Sequence, residues 1–378
     1  MERERTHDIR QFILNRIDAR SSDVARAAAR EYGISRQAVN RHFHALIEEG
    51  VLEATGKTRA REYRLLPTRE CTRRLTITPA LTEDRMWEEY IRPLVDDVPH
   101  HVRDICHYGF TEVANNALQH SGAARVSISA RRTATAIDMA VTDNGAGIFN
   151  VLLETFGFTS PREAIFELSK SRLTTAPETH TGGSLFLVSR MFDRLEIQSS
   201  DHTFAFDSNL EMWSVVREAF AIHGTSVRMH TSLTGARTLA EVADTWKTRR
   251  GELGRAHIPV ALLASEGEAL VSRSQGQRLC RRLGQCSEAL LDFRGVERIG
   301  RGFADEVFRV FRTARPQTAL VTLHANASVR ASIREALESG EPTRSVVPSA
   351  AMTGTSRDER PAVPPTPMTP KDERPARR

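Results

Sequence analysis

Apolar side chains recur at helical spacing through the first fifty residues and then change to an alternation of period two. Ile9, Phe12, Ile13 and Ile17 form one stripe over residues 6–20, which predicts a short amphipathic helix. A second helix is expected over Val24 to Glu31, with Ser21, Ser22 or Asp23 able to cap it and Gly33 ending it where left-handed geometry is tolerated. Ser35 caps a third helix running to about Glu49, whose buried face is Val39, Phe43, Leu46 and Ile47. That leaves Arg36, Gln37, Asn40, Arg41 and His44 pointing outward. Val51-Leu52-Glu53-Ala54 and Glu62-Tyr63-Arg64-Leu65 read as two strands around Gly56-Lys57-Thr58-Arg59, a basic hairpin tip.

Residues 69–99, preceded by Pro67 and holding Pro79, Pro93 and Pro99, read as a connector with one helix around Glu83 to Tyr90. A long helix is expected from His101 to about His120, opposed in propensity only by Gly109. Two alternating strands follow, one carrying Val126, Ile128 and Ala130 and the next Ile137, Met139 and Val141. They deliver Asp143 to a sheet edge, where the turn Asp143-Asn144-Gly145-Ala146-Gly147-Ile148 begins. From about Leu239 to Leu337 short strands alternate with helices: Ile258 to Ala264, Ser272 to Leu283, Ala289 to Phe293, Gly302 to Arg312, Thr318 to Leu323 and Ser328 to Leu337. That order predicts a small α/β domain. Residues 339–378, rich in Pro, Thr, Ser, Arg and Glu, hold too little apolar surface to fold and read as a disordered tail.

Composition narrows the classes. A chain of 378 residues predicts two or three domains, and 40% hydrophobic against 27% charged residues excludes disorder throughout. The net charge of +5 permits nucleic-acid contact without demanding it. No stretch reaches about 18 consecutive apolar residues, and the opening Met1 to Arg10 is charged where a signal peptide needs an apolar run. The expectation is a cytoplasmic chain with no membrane partner. Cys71, Cys106, Cys280 and Cys286 form no Cys-x-x-Cys pair and are expected as free thiols, without disulfides or structural zinc.

The chemistry concentrates at the long helix and the glycine turn. Glu112 and Asn116 are four apart and share a helical face, with Asn115 beside them and His120 a turn further on. Carboxylates and carboxamides on an inward face are costly unless they meet a ligand, ion or water. Magnesium takes oxygen ligands and keeps several waters, so Asn116 with nucleotide phosphates would suit it. Glu112 could serve as the base that activates an attacking water or hydroxyl, and Asp143 could accept from the exocyclic amine of adenine. Gly145 and Gly147 allow a close backbone approach to a ligand.

These residues carry resemblances. The helix-turn-helix and basic hairpin over residues 6–67, with Ser35-Arg36-Gln37-Ala38-Val39 and Leu46-Ile47-Glu48-Glu49-Gly50, resemble the winged helix-turn-helix family. The resemblance implies DNA binding through Arg36, Gln37, Asn40 and Arg41, with Lys57, Arg59 and Arg61 against the backbone; use for protein contacts stays open. Glu112-Val113-Ala114-Asn115-Asn116-Ala117-Leu118-Gln119-His120 and Asp143 to Ile148 resemble the N and first glycine boxes of the GHKL superfamily, the histidine-kinase-like ATPases. Thr181-Gly182-Gly183-Ser184-Leu185-Phe186-Leu187 is similar to the second glycine box, and Gly224-Thr225-Ser226-Val227 to the closing Gly-Thr strand. All occur in the family's order, although Ser184 stands where a further glycine is usual.

The resemblance implies ATP with Mg2+ in an α/β sandwich of the Bergerat type, with Glu112 as candidate base and Asn116 as metal ligand. Asn115, His120, Asp143, Gly145, Gly147, Gly182, Gly183 and Thr225 would line the nucleotide site. Residues 149–181 would form a lid in which Lys170, Arg172, Thr174, Thr175, Thr179 and Thr181 could reach phosphate. Leu290 to Val296 with Ile299 and Gly302 to Glu306 resembles STAS-like domains, relatives of anti-sigma-factor antagonists, and implies a protein partner. Those relatives are phosphorylated on a serine where this chain reads Ile299-Gly300-Arg301-Gly302-Phe303, which has no hydroxyl.

The expected fold is a multi-domain α/β chain. It comprises a winged helix-turn-helix (1–68), a connector (69–99), the ATP-binding sandwich (100–232), a STAS-like domain (240–338) and the tail (339–378). The expected function is a DNA-binding regulator controlled by ATP and Mg2+. An anti-sigma-type serine or histidine protein kinase and a slow ATPase stay open, as does a homodimer.

Overall fold

Three helices and a hairpin occupy the first 65 residues: α1 (Glu2–Asp18), α2 (Val24–Tyr32), α3 (Arg36–Glu48), β1 (Leu52–Thr55) and β2 (Glu62–Leu65). The computed structural model describes residues 2–19, 21, 23–56, 61–170, 183–248, 253–264, 268–281 and 283–338. The expected tail, residues 339–378, lies outside them. Gly33 ends α2 at φ 61° and Ser35 Oγ accepts from Ala38 N at 3.2 Å to start α3. Asp23 precedes α2 in a left-handed conformation and its side chain makes no cap. Ile9, Ile13, Leu14, Ala28, Val39, Phe43, Leu46, Leu52 and Leu65 form a core of their own. Each large side chain buried there contributes about 1.5–3 kcal/mol. Arg36, Gln37, Asn40, Arg41 and His44 all face solvent on α3.

Residues 69–99 correct the expectation of a connector. They supply β3 (Arg69–Thr76), the outer strand of a five-stranded antiparallel sheet, then α4 (Glu83–Met86), a π-helical turn at Trp87–Ile91 and α5 (Arg92–Val95). The strand shows little apolar alternation because it is an edge. Only Cys71 and Leu75 pack on the core, while Arg69, Glu70, Thr72, Arg73 and Arg74 are exposed, charges that discourage pairing with another chain. Next come α6 (His100–His120), β4 (Arg125–Arg132), β5 (Ala136–Asp143), α7 (Ile148–Phe156), α8 (Pro161–Ser169), α9 (Ser184–Met191), β6 (Arg194–Asp207) and β7 (Met212–Ser232). The sheet order is β3-β4-β5-β7-β6. Helix α6 lies on β5 and β7 and also packs against α9.

The rest of the chain contributes α10 (Leu239–Trp246), β8 (Arg255–Pro259), α11 (Arg273–Cys280), β9 (Glu288–Asp292), α12 (Arg301–Ala304), α13 (Arg312–Ala314), β10 (Ala319–Leu323) and α14 (Ala327–Glu338). Its sheet is parallel, in the order β10-β9-β8. The strand expected over Ile258 to Ala264 stops at Pro259, which has no N–H to extend the ladder, and Val260–Leu263 form a 3-10 turn. The molecule is thus a mixed α/β structure with several sheets. The two larger sheets share one hydrophobic core, whereas the N-terminal helices keep theirs separate. No helix among the described residues is long and apolar enough to cross a membrane.

Gly109 sets the distance between α6 and the layer beneath it. A Cβ there would stand 2.2 Å from Cε2 of the buried Phe192 ring. Gly109→Ala is therefore expected to cost about 1–3 kcal/mol through overpacking. The check is the urea midpoint followed by circular dichroism; an unchanged midpoint would show that the ring yields freely.

Candidate functional site

Helix α6 turns Val102, Ile105, Cys106, Phe110, Val113, Ala114 and Ala117 inward, so the strip Tyr108, Glu112, Asn115 and Asn116 sits half-buried at the margin of the core. Burial first, and then the Glu112 carboxylate one turn away, push the Tyr108 phenol above its ordinary value. Asn115 Oδ1 and Asn116 Nδ2 are buried without a hydrogen-bond partner. Such atoms cost on the order of 1–3 kcal/mol each. An amide flip exchanges oxygen and nitrogen, so either carboxamide can place an oxygen at that position.

The glycine turn is docked on the far end of the same helix. Ser121 O, next to His120, accepts from Ala146 N at 3.0 Å, and a Cβ on Gly145 would lie 2.1 Å from that carbonyl oxygen. Asp143, the last residue of β5, is 5% exposed. Its Oδ1 accepts from Gly145 N at 2.8 Å and from Thr225 N at 3.3 Å. The Thr225 hydroxyl in turn accepts from Ile148 N at 2.8 Å. Burial pushes the Asp143 carboxyl up and the amide hydrogen bonds pull it partly back, leaving it raised. Gly224 has φ 80°, and a Cβ there would stand 2.1 Å from Asp143 O. Gly147 precedes α7 against the Ser199 hydroxyl. Glycine at 145 and 224 is thus required by backbone packing on backbone, which the spacing of the motif alone did not distinguish from close approach to a ligand.

The structure brings α6, the turn and Thr225 together. Gly183 precedes α9 at φ 86°. Gly182, Arg172, Thr174, Thr175, Thr179 and Thr181 lie outside the described residues, as do Lys57 and Arg59. Lys170, expected near phosphate, is instead buried at the end of α8, against α11 of the C-terminal module. Its Nζ is 2.7 Å from Glu167 Oε1 and donates to Arg278 O at 2.7 Å, at the end of α11. Burial lowers its ammonium to about 8 despite Glu167.

Sequence reasoning also passed over Arg190 of α9. Its guanidinium carbon lies 4.0–5.1 Å from the ring centroids of Phe206, Phe186, Trp246 and Trp213. Arg190 Nη2 donates to His257 Nδ1 at 3.0 Å, and His257 Nε2 faces Asp292 Oδ2 at 3.3 Å. Burial lowers the His257 imidazole, with Asp292 opposing and Arg190 reinforcing that shift. A neutral His257 accepting on Nδ1 and donating from Nε2 satisfies both neighbours.

Residues 275–330 match the family model of a STAS-like domain of unknown function (DUF4325). The match runs from α11 to the first turn of α14. No curated protein and no solved structure matches the chain.

The raised Asp143 carboxyl carries a sign. Stability from such a group is present below its unfolded value and lost as pH rises through the folded one, so at pH 7 the ionised side chain is a burden on the fold. Asparagine keeps the accepting oxygen and removes the charge. Asp143→Asn is expected to melt no lower than the parent at pH 7, with the parent gaining on it as pH falls towards 3.8. A lower melting temperature for the variant at pH 7 would contradict the assignment.

Proposed function

We propose that the chain is a nucleotide-responsive regulator: the central sheet with α6 binds ATP and Mg2+, the N-terminal module binds DNA, and the C-terminal STAS-like domain takes a protein partner. The observation that carries the reading is the pair of buried, unpartnered carboxamide atoms of Asn115 and Asn116, on the helix against whose end the Asp143 turn is docked. Polar atoms of that kind persist where a ligand supplies the missing bonds. The order of the four motifs and their resemblance to the GHKL superfamily give the ligand its identity.

In this reading Asp143 presents its carboxylate to the exocyclic amine of adenine, while its Oδ1 stays tied to the turn. Asn116 supplies an oxygen to Mg2+, which would neutralise phosphate charge, and Asn115 and His120 flank it. Gly183 precedes α9, whose first amides favour an anion, and Gly182 is read as lining the same nucleotide site. Glu112 is the group able to take a proton from a nucleophile. The N-terminal helices and hairpin act as a winged helix whose exposed Arg36, Gln37, Asn40 and Arg41 contact DNA, assisted by Lys57 and Arg59. The chain works in the cytoplasm.

Such a regulator requires ATP to favour one of two DNA-binding states. Coupling in comparable systems amounts to about 1–3 kcal/mol, or roughly 5–150-fold in affinity. The test is fluorescence anisotropy of a labelled mixed-sequence duplex at low salt, titrated with the full chain with and without Mg-ATP. The expected result is a DNA affinity that moves at least about fivefold with Mg-ATP and falls in Arg41→Ala. DNA affinity indifferent to saturating Mg-ATP would remove the regulatory coupling, and no DNA binding at low salt would remove the winged-helix role.

A further inference from the structure

The carboxyl ends of β9 and β10 gather Asp292, Arg294 and His324, at the edge where parallel α/β sheets hold their ligands. The Asp292 side chain is 6% exposed. Its Oδ1 accepts from Arg294 N at 2.9 Å and lies 3.0 Å from His324 Nδ1, while Oδ2 faces His257 Nε2. Burial alone would raise this carboxyl, but the hydrogen bonds from His257, the Arg294 amide and His324 hold it at about 2. An ionised carboxylate only accepts, so the His324 proton resides on Nδ1 and the lone pair on Nε2. The Arg294 guanidinium stands 3.2 Å from each ring nitrogen of His324 and 3.6 Å from Asp292 Oδ2, beside the edge that carries Nε2. Its other terminal nitrogen is hydrogen-bonded to Leu210 O in the turn between β6 and β7.

Two further features set His324 apart from a structural histidine. Its side chain is 47% exposed although the carboxylate behind it is buried. Its backbone is left-handed at φ 53°, a conformation that non-glycine residues hold only where the surroundings impose it and that clusters at functional sites. The loop Ile299 to Phe303, by contrast, offers no hydroxyl.

We propose that His324 is a phosphoryl acceptor, with Asp292 orienting its imidazole and Arg294 receiving the transferred oxygens. The inference rests on the nucleotide reading for its donor, ATP. The Nε2 lone pair forms a P–N bond to the γ-phosphorus while the bond to the β–γ bridging oxygen breaks, and that electron pair leaves with ADP. The Nδ1 proton stays on the ring, and the phosphoimidazolium charge that develops faces the Asp292 carboxylate. Arg294, drawn to the phosphoryl oxygens, would release Leu210 and so report the modification to the β6–β7 turn.

The experiment treats the folded full chain with potassium phosphoramidate, which transfers its phosphoryl group to imidazole and releases ammonia, and in parallel with γ-labelled Mg-ATP. Sites are mapped by mass spectrometry under alkaline conditions. The expected result is that phosphoramidate labels His324 faster than the other histidines and that ATP labels the same residue. His324→Gln, at an exposed position, should lose that label while the others persist. Asp292→Asn should slow labelling of His324 by at least about tenfold and leave the histidines that do not contact Asp292 unchanged, with the melting temperature of the variant measured alongside to exclude general loss of the fold. Phosphoramidate labelling of His324 no faster than of the other histidines would overturn the proposal, whatever the variants do. Selective phosphoramidate labelling without label from ATP would overturn ATP as donor; calorimetry then separates a nucleotide site that binds but does not transfer from one that does not bind.

Discussion

One carboxylate oxygen, Oδ1 of Asp143, ties together the segments from which the central site is made. It accepts from the turn that follows β5 and from the start of the Thr225 segment of β7, and the Thr225 hydroxyl closes the loop by accepting from the first residue of α7. The same turn is fastened to the carbonyl end of α6 through Ser121. Residues far apart in sequence are therefore fixed by three hydrogen bonds around a single buried acid. The close approaches at Gly145 and Gly224 leave no volume for a side chain, so the arrangement has little freedom to drift. A buried acid with a raised carboxyl is an unfavourable way to hold a turn together, which makes sense where its remaining valence serves a ligand.

Much of this was legible in the chain because the signals are local. The apolar stripe of α1, the left-handed Gly33 and the Ser35 cap define three helices without reference to anything distant. The alternation Val126, Ile128, Ala130 marks β4 as half-buried, and the Asp143 turn falls at a strand end as expected. β3 was not legible, since an edge strand dressed with Arg69, Glu70, Arg73 and Arg74 has no apolar period to read. Lys170 was expected as a phosphate contact in a lid and is instead buried beside Glu167, because the carbonyls it meets at the end of α11, those of Arg278 and Arg281, lie 108 and 111 residues away. Arg190 gave no signal for the same reason, its hydrogen-bond partner being 67 residues on.

Those long-range contacts explain why the central and C-terminal sheets share one core. Arg190 leaves water for a cage of four aromatic rings, where cation–π attraction of about 0.5–2 kcal/mol per favourable pair offsets part of its desolvation. Its hydrogen bond to His257, and that residue's bond to Asp292, carry the charge compensation into the STAS-like sheet. Buried ionic groups seldom add net stability over apolar packing, but they fix one arrangement among alternatives. Here the arrangement fixed is that of α9, which begins just after Gly183 and ends tied to β8. Lys170 makes a second tie at the end of α8. The N-terminal helices meet the central sheet through Asp18 of α1, whose carboxylate lies 4.0 Å from His230 of β7, and through Leu65 O, which accepts from Arg131 of β4.

ATP is proposed to bind where the Asp143 turn meets the end of α6. Isothermal titration of Mg-ATP into the full chain and into Asp143→Asn tests this most directly. Saturable binding to the parent and none to the folded variant is the expected result. Equal affinity for both proteins, or no binding to the parent, would contradict it.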